Sequence, residues 1–309
     1  MMHIVNEFTN ITDLPFKKID LFIGASGYEA RSTFQAKSLS SIIKKGVVLG
    51  FKNAKEHPFR IKNDLFFQEN GFEIIETDVE DLINRKLEKL FKIIEKDDQL
   101  VIYIDYSSMS KNLYSYLLFV LYHQEDNSNW KLYLGYSHAE YIKDNQDKTP
   151  NRVVAPLNGY CNLSLPTKPT SLIIGIGNEL SRVFGLKEYF DAIPYIFYTD
   201  NSYNERYNLE AKELLKNMSS QIPPENIFEY PIKNLRYSYY MLKNLCDELI
   251  KNTRIIIAPC GPKPFAVLAM LLSLQYDDDI EVWRISPGNK LNAINRVATG
   301  LVSTIEIEF

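Results

Sequence analysis

Two segments of the chain gather small residues, hydroxyls and one cation in the way an anion site requires. The first is Asp105-Tyr106-Ser107-Ser108-Met109-Ser110-Lys111, ahead of the apolar stretch Leu113 to Tyr122. The second is Pro259-Cys260-Gly261-Pro262-Lys263, ahead of Phe265 to Leu274. Both stretches read as helices, so Lys111 and Lys263 fall where a helix dipole already favours negative charge, and Pro264 suits a first helical turn. The plainer alternative is a Ser N-cap followed by a surface lysine. Ligand contact is the reading the repetition favours.

Two glycine loops add backbone donors. Gly24, Ser26 and Gly27 follow one apolar run, and Gly175, Gly177 and Asn178 follow another. Without side chains such loops let amide N–H groups approach a phosphate, although a tight strand-to-helix turn needs the same residues. Arg31 and Arg182 follow at matched distances and either reach back to the ligand or lie along a helix surface. Asp105, at a strand end beside serines, reads as a cap of the following turn before it reads as a general base or a metal ligand. Cys260 is more plausibly a small packing residue than a thiol activated by Lys263. His3, His57, His123 and His138 occupy unrelated positions with no repeated partner and so give no argument for a Ser-His-Asp arrangement, and His138 is the one expected nearest the loops.

These loops sit in a duplicated frame. The run Ile19 to Ile23 ending at Gly24 answers Thr170 to Ile174 ending at Gly175, and the arginines stand at the same offset as the glycines. Phe72 to Glu76 answers Ile227 to Tyr230, Leu100 to Ile104 answers Arg254 to Ala258, and the lysines keep the offset to within one residue. Trp130 to Tyr136 and Ile280 to Ile285 close the two copies, and Asn151-Arg152-Val153 and Asn295-Arg296-Val297 each precede a final apolar segment.

Short apolar strands alternating with helices imply an α/β chain of two tandem Rossmann-like units with mostly parallel sheets, related by a pseudo-two-fold internal duplication. The expected boundaries are residues 1–165, with an N-terminal extension, and residues 166–309. The polar connector from Tyr141 to Pro169 is expected to add a hairpin or edge strand, with an exposed loop at 143–148. Ligands of open parallel sheets bind beyond the carboxyl ends of the strands, so Lys111 and Lys263 are expected to share a cleft with Arg31 or Arg182.

Strand, small-residue loop, lysine, apolar helix, together with the glycine loop after the first strand, resembles the pattern of CARF domains and the related tandem SAVED domains. The resemblance implies a sensor of cyclic or linear oligonucleotide second messengers in prokaryotic antiviral defence. It further implies a separately encoded effector protein or a change of homo-oligomeric state as output. The alternative is an enzyme acting on a nucleotide or phosphorylated small molecule, such as a ring-opening phosphodiesterase, with the lysines stabilising developing charge. A structural subunit with degenerate pockets is the third class.

Composition sets the limits. At 309 residues and 45% apolar, the chain can bury a large core. A formal charge of −4 argues against duplex DNA as partner. Twenty tyrosines and seventeen phenylalanines are spread through apolar runs as core residues rather than stacking platforms. Three cysteines without framework spacing point to a reducing, cytoplasmic setting and to no metal site. Residues 1–7 do not read as a signal peptide, and no apolar run reaches membrane-spanning length. Neither a Gly-Lys-Ser/Thr phosphate loop nor the dinucleotide fingerprint is present, so no cofactor is expected.

Overall fold

The computed structural model describes residues 2–77, 99–124, 127–142, 152–161, 167–176, 180–200, 205–218, 221–276, 279–286 and 294–309. It divides into two units, one of Met1–Ile142 with Asn292–Phe309 and the other Lys143–Leu291.

The first unit carries strands β1 (His3–Phe8), β2 (Ile19–Ser26), β3 (Ile43–Phe51), β4 (Glu73–Thr77), β5 (Leu100–Asp105), β6 (Trp130–Ala139) and β13 (Ala298–Glu308). Their order across the sheet is β1-β13-β6-β5-β2-β3-β4. All eight residues of β2 are buried, as expected of a central parallel strand covered on both faces. Its one acid, Asp20, is held by Lys18 at 2.8 Å, Lys44 at 3.3 Å and the Val101 N–H at 3.1 Å. Burial pushes its carboxyl pKa up, but these bonds outweigh burial and leave it below the usual aspartate value. Helices α1 (Phe34–Leu39), α2 (Pro58–Glu69) and α3 (Lys111–Tyr122) belong to this unit. Its core joins Phe22, Val48, Phe67, Phe72, Tyr103 and Tyr133.

The second unit carries β7 (Val153–Pro156), β8 (Thr170–Gly175), β9 (Ala192–Asp200), β10 (Ile227–Pro231), β11 (Arg254–Pro259) and β12 (Ile280–Ser286), in the order β10-β9-β8-β11-β12-β7. Helices α4 (Leu180–Phe190), α5 (Glu205–Met218), α6 (Leu235–Leu249) and α7 (Lys263–Gln275) accompany it. From Pro264 to Leu274 every residue of α7 is buried, which explains a sequence apolar all round rather than on one stripe. In α6 the buried set is Leu235, Ser238, Tyr239, Leu242 and Cys246, the spacing of one helical face.

The repeated strands occupy the same places in both sheets. The first (β2 or β8) is central, the second and third lie to one side, and the fourth and fifth lie to the other. All five run parallel in each sheet. This is the doubly wound α/β arrangement expected from the sequence.

The expected boundary at 165/166 is corrected. The last strand, β13, pairs antiparallel with β6 of the first sheet, and β7, which precedes that boundary, pairs antiparallel with β12 of the second. Side chains explain the placement of β13. Val302, Ile305 and Ile307 are buried, Ser303 bonds His138 at 2.8 Å, and Glu306 accepts from Tyr133 at 2.7 Å. The connector does supply an edge strand, but to the second sheet. The loop at 143–148 lies outside the described residues.

Candidate functional site

In each sheet the crossover direction reverses between the first and fourth repeated strands, so the loops leaving β2 and β5, and those leaving β8 and β11, flank a topological switch point. These are the glycine and lysine loops.

In the first unit most of the expected ligand residues turn inward. The Ser26 hydroxyl donates to Asp64 at 2.6 Å, and the same carboxylate oxygen accepts from Arg60 at 2.7 Å. Arg60 also donates to the Phe51 carbonyl at 2.6 Å, and a Cβ on Gly50 would lie 2.3 Å from its Nη2, so this glycine makes room for the guanidinium. Asn63 donates to the carbonyls of Gly27 and Glu29, 3.0 Å to each. Ser26 and Gly27 are therefore tied to α2.

Arg31 corrects the expectation of a cation facing a ligand. It is the second residue of a 3-10 turn, Ala30–Thr33, rather than part of an extended helix face, and is 2% exposed. Its Nε donates to Glu29 at 2.6 Å, Nη1 to the Ser137 carbonyl at 2.8 Å and Nη2 to the Ser107 carbonyl at 2.9 Å. It thus ties together the ends of β2, β5 and β6.

Asp105 acts as the cap that the plainer reading expects. Its Oδ1 accepts the Ser107 N–H at 3.0 Å, the Ser107 hydroxyl at 2.5 Å and the Gln35 amide at 2.9 Å. The Gln35 Oε1 accepts from Tyr103 at 2.5 Å, and the Ser107 Oγ accepts the Ser137 N–H at 2.7 Å. Asp105, through Oδ1, and Ser107 are thus members of a buried network. His138 sits at the end of β6 but is buried against Ser303.

Ser108 and Lys111 are half-buried rather than interior. Ser108 Oγ lies 3.4 Å from the Glu29 carboxylate, and Lys111 is the first residue of α3, whose N-cap Ser110 accepts the Leu113 N–H. Two aromatic residues that the sequence reading did not select share this edge. Tyr28, after β2, and His57, after β3, have ring centroids 5.8 Å apart. His57 Nδ1 accepts the Phe59 N–H and so caps α2. Burial and Glu29 push the Tyr28 hydroxyl pKa up, with Arg296 and Arg31 acting in the opposite sense.

In the second unit Lys263 again opens its helix, with Pro262 as N-cap. The lysine loops are of unequal length, 106–110 in the first unit and 260–262 in the second. Gly261 is demanded by close backbone packing, since a Cβ there would lie 2.4 Å from the Ile176 carbonyl oxygen. A Cβ on Gly175 would lie 2.3 Å from the Phe265 ring, while one on Gly24 would meet Phe22 at 2.9 Å. Cys260 packs against the core cluster and its N–H donates to the Gly175 carbonyl at 2.8 Å, in keeping with a packing role. Gly177 and Asn178 lie outside the described residues; Arg182 lies on α4, and its side chain is likewise outside them.

Among the described residues no group of three or more His, Cys, Asp or Glu is placed to hold a metal ion, and no helix is long and apolar enough to cross a membrane. No protein-family model and no curated protein matches the chain. Among solved structures it is similar to the cytoplasmic domain of a prokaryotic cation chloride cotransporter, at 12% identity and a TM-score of 0.25, over 88% of this chain and 97% of that one. It is also similar to the N,N-8-amino-8-demethyl-D-riboflavin dimethyltransferase of Streptomyces davawensis, at 14% identity and a TM-score of 0.25, over 41% of this chain and 35% of that one. At these scores neither likeness carries an argument about function.

Proposed function

We propose that the chain is a binding module for an anionic, nucleotide-type ligand, held at the strand ends and passed on as a signal to a partner protein or to the oligomeric state. One observation carries this reading. Two sheets of the same strand order each deliver a lysine to the first position of the helix that leaves their switch point, Lys111 after β5 and Lys263 after β11. A cation there adds to the favourable field of the helix start for a phosphate.

A sensor is favoured over the phosphodiesterase because Asp105, the carboxylate nearest the lysine loop in sequence, is buried and its Oδ1 accepts from the hydroxyl and N–H of Ser107 and from Gln35. A cyclic or linear oligonucleotide is the ligand implied by the CARF and SAVED resemblance, and a role in antiviral defence follows from the same likeness. Native mass spectrometry of protein purified from its own host tests the reading. A retained nucleotide, recovered unchanged after incubation, is the expected outcome, and a converted nucleotide would replace the sensor by the enzyme. The ratio of ligand to chain distinguishes one ligand per unit from one per molecule.

A further inference from the structure

One repeated motif has no part in the proposed function: the tail, present as Asn151-Arg152-Val153 and as Asn295-Arg296-Val297. The copies do not stay with their own repeats. The first leads into β7, which completes the sheet of the second unit, and the second leads into β13, which pairs beside β6 in the first. The repeats have therefore exchanged their last strands and, with them, their tails.

In the first unit the exchanged tail lies on the loop after β2. Asn295 Oδ1 accepts the Ala30 N–H at 2.8 Å, and the Arg296 carbonyl accepts the Arg31 N–H at 3.1 Å. The two amides that open the turn after the first strand are thus held by the chain itself. The same contacts bring Arg296, half-buried, to the strand-end rim that carries Tyr28, His57, Ser108 and Lys111. Its charge is felt at the Tyr28 hydroxyl, where it opposes the effects of burial and of Glu29. Arg31, by contrast, is sealed beneath the loop with its three nitrogens bonded to Glu29, Ser137 and Ser107.

We infer that Arg296, carried in on the exchanged tail, is the arginine that meets the ligand of the first unit, with Lys111 as its companion cation and Tyr28 as the surface for an aromatic base. This rests on the proposed function and narrows it to a ligand with both a phosphate and a ring. A planar guanidinium suits a phosphate oxygen pair, and an aromatic side chain takes any base by stacking. The counterpart in the second unit is Arg152, exposed beside the start of β7, with its N–H donating to the Ser286 carbonyl at 3.1 Å.

The test is a calorimetric titration of the full chain with ADP, which carries both groups. Arg296 holds the loop through its backbone carbonyl, so Arg296→Ala keeps that contact, and an unchanged thermal transition verifies the fold. The expected result is a loss of ADP affinity of about tenfold to a hundredfold in Arg296→Ala, similar to Lys111→Ala, with partial recovery in Arg296→Lys. If Lys111→Ala weakens ADP binding and Arg296→Ala does not, the inference is overturned and the proposed function stands. If the wild-type chain binds no ADP, the inference falls as well, whereas the proposed function falls only if cyclic and linear oligonucleotides also fail to bind.

Discussion

Arg31 Nη2 lies 2.9 Å from the carbonyl oxygen of Ser107, a bond that locks the loop after the first strand to the loop after the fourth. With Nη1 on the Ser137 carbonyl and Nε on Glu29, the guanidinium is a buried tie for three strand ends. Removing it leaves two buried carbonyls and a half-buried carboxylate without that donor.

Arg31→Ala is therefore expected to destabilise the chain by about 3 kcal/mol or more, the usual cost of breaking a buried charged network from one side. Urea unfolding followed by circular dichroism reads this directly. A change within about 0.5 kcal/mol, normal for a surface arginine, would contradict the placement.

Two glycines separate packing from permissiveness. Gly261→Ala drives a Cβ to 2.4 Å from the Ile176 carbonyl oxygen, whereas Gly27→Ala meets only the Phe51 ring, at 3.5 Å. The first substitution should cost about 1–3 kcal/mol and the second well under about 1 kcal/mol. Equal costs in thermal or urea unfolding would show that Gly261 is not pressed on backbone.

Asp20 sets an acid limb for the first unit. Its pKa is held below the ordinary value in the folded chain, although burial alone raises it, because Lys18, Val101 N–H and Lys44 bind the carboxylate. The folded state then prefers the ionised form. Its contribution is complete above the unfolded value of about 4 and is lost as pH falls through the lower folded value. Asp20→Asn should be less stable than wild type at pH 7 and lose less stability between about pH 5 and pH 2. Parallel acid limbs in the two proteins would remove Asp20 from the account.

The strand exchange makes an asymmetric demand on a truncation. Deleting 298–309 removes β13, which pairs with both β1 and β6. Hydrogen exchange should rise in residues 3–8 and 130–139 and stay protected in 170–175 and 254–259. Loss of protection in the second set instead would contradict the assignment of β13 to the first sheet.

The frame was legible in the sequence because buried parallel strands leave a plain mark, as Ile19 to Ile23 and Arg254 to Ala258 do. Lys111 and Lys263 were legible for a similar reason, since a cation just before an apolar run marks a helix start. The exchange of β7 and β13 was not, because an apolar strand does not name its neighbour. The direction of Arg31 was hidden by local geometry: a ligand contact and a place along a helix surface are the two positions its spacing suggests, whereas a 3-10 turn precedes the short α1 and the side chain is buried. Tyr28 and His57 stand alone in their loops, without the repetition that drew attention to the lysines. Asn295 and Arg296 carried that repetition, but their role depends on which sheet the tail joins.

The central claim is that Lys111 and Lys263 serve one class of anionic nucleotide ligand, and calorimetry against a panel of cyclic and linear oligoadenylates tests it most directly. Replacing either lysine with alanine is predicted to cost on the order of 1.5–3 kcal/mol of binding free energy, roughly a tenfold to hundredfold loss in affinity. Lys251→Ala, at an exposed residue paired with Glu248, is the control predicted to bind as wild type. Wild-type chain that binds no member of the panel, or lysine variants that bind as tightly as the control, would contradict the account.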